Sequence, residues 1–136
     1  MLELELSPTE AWERLVRSPS AKLIDVRTEA EWKYVGEPDV KSAGGELVKV
    51  SWHLLPDMRV NPDFLDQLRG AVSPDDVLLF LCRSGGRSLA AAKAAKRAGM
   101  KESYSVAGGF EGDLDENAHR GNKAGWKCQG LPWRQT

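Results

Sequence analysis

Seven consecutive residues carry the chain's clearest chemistry: Cys82-Arg83-Ser84-Gly85-Gly86-Arg87-Ser88. A thiol becomes a strong nucleophile as its thiolate, so a reactive cysteine needs surroundings that favour negative charge. Gly85 and Gly86 reach backbone conformations closed to other residues, and such a loop can turn several N–H groups toward one point. Arg83 and Arg87 add two cations, and the N-terminus of a following helix adds partial positive charge. Ser84 and Ser88 offer hydroxyl hydrogen bonds to a sulfur or a bound oxyanion, and Ser88 suits the helix N-cap equally well. Every one of these features favours an anion: bound substrate, the Cys82 thiolate, or both. A cysteine that merely ended a buried strand would need neither the glycines nor the arginines.

The flanking residues supply the elements that position this loop. Val77-Leu78-Leu79-Phe80-Leu81 is apolar on both faces, as expected of a central parallel strand covered by helices. Residues 89–98 form a strong helix, stopped by Gly99. A loop between them lies at the carboxyl end of a strand, where open α/β sheets bind their ligands. Leu23-Ile24-Asp25-Val26 reads as an earlier strand with Asp25 and Arg27 at its end. These two read either as a structural ion pair or as part of the site; the structural pair is the expectation, with Asp25 placed to steady Arg87.

The rest of the chain alternates in the same way. Ser7-Pro8-Thr9-Glu10 is a capping-box start for a first helix. A short helix is expected over 29–33, a loop over 36–45, a strand over 47–52 and a helix from Asn61-Pro62-Asp63 through about Arg69. A strand over 103–106 and a further helix over 110–118 complete the pattern. From Gly121 onward no period is visible. Trp52, Trp126 and Trp133 are expected to pack in the core or on the surface rather than line a site. The fold class is α/β, a single domain with a mainly parallel central sheet flanked by helices. The domain covers residues 1–120, and 121–136 form a C-terminal tail packed on or near it.

Composition narrows the function by exclusion. At 136 residues, 41% hydrophobic and 29% charged, the chain matches one globular domain. A formal net charge of -1 argues against a general nucleic-acid binder. Two cysteines cannot build a disulfide framework or a four-cysteine zinc site, and His53 and His119 show no metal-ligand spacing with them. No metal or cofactor is therefore expected. Met1-Leu2-Glu3-Leu4-Glu5-Leu6 lacks the features of a signal peptide, and no apolar run has the length of a membrane span. A cytoplasmic, reducing compartment and no membrane partner are expected, with both cysteines as thiols. Cys128 reads as an incidental tail thiol, the alternatives being that it takes sulfur from Cys82 or forms a disulfide with it.

Cys-x-x-Gly-x-Arg between an apolar strand and a helix resembles the active-site loop of the rhodanese-like sulfurtransferase family. Leu23-Ile24-Asp25-Val26-Arg27, its continuation Glu29-Ala30-Glu31-Trp32 and Val106-Ala107-Gly108-Gly109-Phe110 are similar to that family's early and late segments, in order and spacing. The likeness covers roughly Ser7 to Phe110. One departure stands out: Gly36-Glu37-Pro38-Asp39 replaces the family's frequent Gly-His-Ile-Pro-Gly-Ala, which touches the rim of the substrate site and not the loop.

The resemblance implies a double displacement. The Cys82 thiolate takes the sulfane sulfur of a donor such as thiosulfate, becomes a persulfide, and passes the sulfur to a thiophilic acceptor, cyanide or a thiol. Arg83, Ser84, Gly85, Gly86, Arg87 and Ser88 would bind the substrate, Asp25 and Arg27 would support them, and the partners would be a small sulfur-containing anion or a protein persulfide as donor and a thiol as acceptor. The nearest alternatives are a non-catalytic rhodanese-like binding or regulatory module and a cysteine-dependent phosphatase or arsenate reductase. Modules of that kind generally lack the cysteine. Protein tyrosine phosphatases use Cys-x5-Arg, whereas Cys82 to Arg87 is Cys-x4-Arg and Ser88 stands at the phosphatase arginine's position.

Overall fold

The computed structural model describes residues 4–54, 57–120 and 123–135. In chain order its elements are β1 (Glu5–Leu6), α1 (Pro8–Arg17), β2 (Ala21–Asp25), α2 (Glu29–Tyr34), β3 (Glu37–Pro38), a 3-10 turn (Lys41–Ala43), β4 (Glu46–Lys49), β5 (His53–Leu54), β6 (Arg59–Val60), α3 (Phe64–Ala71), β7 (Val77–Leu81), α4 (Gly86–Arg97), β8 (Ser103–Val106) and β9 (Trp133–Arg134). Strands β1, β8, β7, β2 and β4 form one sheet in that order, with every pairing parallel. This is the expected α/β architecture, and the 77–81 strand takes its central place.

Strand alternation divides the core into two layers. Leu23, Leu79, Leu81 and Val106 pack on one face with Ala11 and Leu15 of α1, Phe110 and Trp126. Ile24, Val26, Leu78 and Phe80 pack on the other with Phe64 and Leu68 of α3 and Ala91, Ala92 and Ala95 of α4. Side chains in a strand point alternately to opposite faces. Cys82 continues the Leu78, Phe80 series and joins the α3 and α4 layer. Ala91, Ala92 and Ala95 of α4 are fully buried, and their small size lets the helix approach the sheet closely.

Two helices start with the same device. Ser7 and Glu10 exchange side chain to backbone hydrogen bonds at the head of α1, and Thr28 and Glu31 do so at the head of α2. Helix α4 starts differently, and earlier than its sequence predicts: at Gly86 instead of Leu89, behind Gly85 in a left-handed conformation (φ 116°). Arg87 and Ser88 therefore lie in the first helical turn.

The helix expected over 110–118 does not form. Gly112, its third residue, takes a left-handed conformation (φ 76°), which stops a right-handed helix there, while Phe110 donates to the Cys82 carbonyl at 2.7 Å and Glu111 and Gly112 donate to that of Arg83 at 2.9 and 3.1 Å. Asp115 then accepts the N–H groups of Asn117 and His119, which closes turns where a helix would continue. The loop expected over 36–45 contains β3 and the 3-10 turn, and β4 ends at Lys49, short of the predicted 52.

The C-terminal segment threads back through the domain. Trp126 donates its backbone N–H to Gly109 and its indole N–H to Pro132, stands edge-on to Trp12 at 5.9 Å, and is fully buried. Strand β9 pairs antiparallel with β3. Replacing Trp126 with alanine removes the largest buried side chain of its layer. It is expected to cost about 3–5 kcal/mol, read as a lower midpoint in urea denaturation; a loss under 1 kcal/mol by the same scale would show that the segment is not part of the core.

Candidate active site

The site is built where three parallel strands end. Val26 donates its N–H to Leu81, and Trp52 donates its N–H to Val26, so the ends of β7, β2 and β4 stay joined beyond the strands themselves. Cys82 follows β7 directly. Its side chain is buried, at 1% exposure. The sulfur accepts the Gly85 N–H at 3.1 Å and lies 3.3 Å from the Ser88 hydroxyl. Ser88 in turn shares a 2.7 Å hydrogen bond with Ser105 of β8 and lies 3.1 Å from the Gly85 carbonyl. A thiol at this position donates to Ser88 Oγ, and a thiolate accepts from it. The hydroxyl pair thus serves either charge state without moving an atom other than hydrogen.

Two glycines make this arrangement possible. Gly85 needs its positive φ to turn its N–H back to the sulfur. Gly109 is pressed against the loop from outside: a Cβ there would stand 2.4 Å from the Cys82 carbonyl oxygen and 2.7 Å from that of Arg83, too close for any side chain. By position in the helix, the N–H groups of Gly86, Arg87 and Ser88 have no intrahelical partner. The loop therefore presents amide donors and a hydroxyl to whatever occupies the space by the sulfur. Gly86, at the end of the loop, also lines a cavity of about 330 Å³ with Trp52, Leu89 and Lys93.

The six loop residues singled out by sequence occupy one turn, but their side chains diverge. Arg83 is exposed, with no ion-pair partner among the described residues. Arg87 is half-buried and donates through both terminal nitrogens to the two oxygens of Glu31, at 2.7 and 2.9 Å. Glu31, not Asp25, is the direct partner of Arg87; Asp25 steadies it only through its charge. Asp25 instead accepts Arg27 Nε at 2.9 Å and Nη2 at 2.7 Å, both side chains being fully buried. Arg27 also donates to the Gly36 carbonyl and stacks 4.4 Å over the Phe110 ring, while its Nη1 has no partner among the described residues. Both cysteines are free thiols, Cys128 being exposed.

Glu31 is the site residue that sequence reasoning missed. Its spacing from Thr28 announces a capping box, and that role is kept, but the partner 56 residues away depends on how α2 and α4 pack. Burial alone would raise the Glu31 pKa. Hydrogen bonds and charge from Arg87, the Thr28 N–H and the Arg27 charge outweigh it and hold the carboxyl below its ordinary 4.5. The same pair holds Arg87 protonated against its own burial, helped by the negative charges of Cys82 and Asp25.

The comparisons with known proteins agree with this fold. The family model for the STR4 middle domain matches residues 5–136. The crystal structure of Rv0390 from M. tuberculosis superposes with a TM-score of 0.89, at 48% identity over 97% of each chain. The solution structure of the polysulfide-sulfur transferase homodimer from Wolinella succinogenes superposes with a TM-score of 0.68, at 25% identity over 98% of this chain and 80% of that one. Rhodanese-like domain-containing protein 4, chloroplastic, from Arabidopsis thaliana is 26% identical over 129 residues, which span 93% of this chain and 25% of that protein.

Two outcomes follow from the ion pairs. Asp25→Ala strands a buried guanidinium and is expected to cost about 3–5 kcal/mol, measured by chemical denaturation; an unchanged midpoint would mean that Arg27 is not buried. Glu31→Gln is expected to cost about 1–2 kcal/mol at pH 7. A carboxyl whose folded pKa is depressed stabilises above its unfolded value and loses that contribution as pH falls through the folded one. The stability gap between Glu31→Gln and the native protein should therefore be full at pH 7 and close below pH 4.5; a gap that persists in acid would contradict the pairing. The match of the STR4 middle domain model over residues 5–136 and the likeness to rhodanese-like domain-containing protein 4 place the chain in the rhodanese-like family.

Proposed function

We propose that this protein is a sulfurtransferase that carries sulfane sulfur on Cys82. The observation that supports this best is the sulfur's own environment: an N–H donor at 3.1 Å and a hydroxyl at 3.3 Å, at the N-terminus of α4. Such a cradle favours a sulfur anion and asks nothing of its size beyond one atom. The likeness to a protein named as a polysulfide-sulfur transferase supports the same reading.

In the first half-reaction the Cys82 thiolate attacks the outer sulfur of the donor. With thiosulfate, a bond forms between Cys82 Sγ and that sulfur, the bond to the oxidised sulfur breaks, and its electron pair leaves with sulfite. Cys82 is then a persulfide anion, of the same charge as the thiolate it replaced, so the same donors hold both. In the second half-reaction an acceptor attacks the outer sulfur. Cyanide leaves as thiocyanate and regenerates the thiolate; a thiolate acceptor leaves as its own persulfide. Sulfite and thiolate are competent leaving groups, so no general acid is needed. A phosphatase, by contrast, needs a proton donor for its leaving oxygen and a free arginine for the phosphoryl group, and Arg87 is engaged by Glu31.

Incubation with excess thiosulfate should add one sulfur, about 32 Da, to the peptide that contains Cys82, and cyanide should remove it as thiocyanate. Cys82→Ser should abolish both the adduct and the turnover. An adduct confined to Cys128, or thiocyanate formation by Cys82→Ser, would overturn the assignment.

A further inference from the structure

The Arg87–Glu31 pair bears on which donor the site accepts. An arginine recognises a sulfonate or other oxyanion through the fork of its terminal nitrogens. Here both nitrogens of that fork already donate to Glu31, and the pair is mostly shielded from water, at 15% and 18% side-chain exposure. Arg27 is equally committed, to Asp25 and the Gly36 carbonyl. Arg83 is exposed, where water and salt screen its charge. With these two pairs each neutral, the unpaired charges near an incoming donor are the Cys82 thiolate and the exposed Arg83 and Lys93, which water and salt screen. The neutral donors that remain are the loop amides and the Ser88 hydroxyl. A dianion such as thiosulfate meets repulsion from the thiolate and finds no shielded guanidinium free to bind it. The terminal sulfur of a thiol-borne persulfide brings no oxyanion head and needs only what the loop still offers.

We infer that Glu31 is a positioning residue that determines specificity: by closing the Arg87 fork it selects a persulfide carried on a thiol over a dianionic sulfonate donor. The inference rests on the sulfurtransferase reading above. In the step it favours, the Cys82 thiolate attacks the terminal sulfur of R–S–SH. A bond from Cys82 Sγ to that sulfur forms, the R–S to S bond breaks, and the electron pair leaves with R–S⁻. The proton travels with the transferred sulfur and is then lost to solvent, so Cys82 ends as the persulfide anion and no oxidant is consumed.

Two small donors isolate the charge term. Methanethiosulfonate, a monoanion, differs from thiosulfate by a methyl group in place of one charged oxygen, and both surrender their outer sulfur to a thiolate. The rate of sulfur addition to Cys82 is measured by mass spectrometry for each donor, and the kcat/KM ratio of monoanion to dianion is compared between proteins. Glu31→Gln frees the Arg87 fork, and the ratio should fall about tenfold through faster loading by thiosulfate. The double replacement of Glu31 and Arg87 by Gln removes the pair at constant net charge, and the ratio should stay at its native value. A merely structural role for Glu31 slows both donors together and leaves the ratio unmoved in Glu31→Gln, which overturns the inference. A selective loss of thiosulfate loading in the double variant overturns it as well, because Arg87 would then have been serving the dianion all along. If neither donor loads native Cys82, the sulfurtransferase reading itself falls; loading with an insensitive ratio removes only the role of Glu31.

Discussion

The carbonyl of Cys82 accepts the Phe110 N–H at 2.7 Å, and that of Arg83 accepts the next two amides, all from the turn that follows Gly109. A peptide unit is planar, so its N–H points opposite to its carbonyl. Drawing two successive carbonyls outward leaves the amides between Cys82 and Ser84 on the other side of the loop. The tie also sets the spacing of everything behind it. Gly109 can carry no side chain because it touches both carbonyls, and its own carbonyl receives Trp126. The loop is therefore clamped between the sheet and a layer of chain that ends in a fully buried tryptophan, which explains why a segment so late in sequence belongs to the core.

Electrostatics reinforces this packing without making the protein basic. Two arginines near the loop are neutralised by two carboxylates, one pair fully buried and one mostly shielded. Leaving either partner alone in such a place would be costly, which keeps α2, β2 and α4 in fixed register. Arg27 has a second duty: it stacks on Phe110, the residue whose N–H ties down Cys82. The buried pair and the backbone tie meet at one aromatic ring, so damage to Asp25 is transmitted to the loop through packing as well as through charge.

The parts of this design that were legible in sequence are those set by local rules. The five apolar residues of β7, the Ser7 capping box, and the Cys-x-x-Gly-x-Arg loop all declare themselves within a dozen residues, because strand burial, capping and tight turns are short-range constraints. The helix expected at 110–118 failed for the opposite reason. Its composition permits a helix, but Gly112 turns left-handed where the segment docks on the loop carbonyls nearly thirty residues earlier. The start of α4 was misplaced because Gly85 and Gly86 read as loop residues, whereas only Gly85 lies outside the helix. Glu31 was visible only within the Glu29-Ala30-Glu31-Trp32 segment and invisible as the partner of Arg87, since no local pattern predicts which carboxylate a distant helix will bring within 2.7 Å.

The double use of Glu31 ties helix formation to the charge state of the loop. Its Oε1 faces the Thr28 N–H at 3.3 Å and Arg87 Nη1 at 2.7 Å, so the same oxygen caps α2 and fixes the first turn of α4. An anion that captured Arg87 would have to break a two-point pair and loosen a cap at once, whereas a sulfur atom held by Gly85 and Ser88 disturbs neither. In the proposed cycle thiolate and persulfide anion carry equal charge, and the groups that face them are amides and a hydroxyl whose positions are set by backbone and sheet. Such donors gain little from ionic attraction at long range and lose little to salt. The cost is weak capture of highly charged donors. What the arrangement gains is a sulfur site whose geometry stays the same whether Cys82 is empty or loaded.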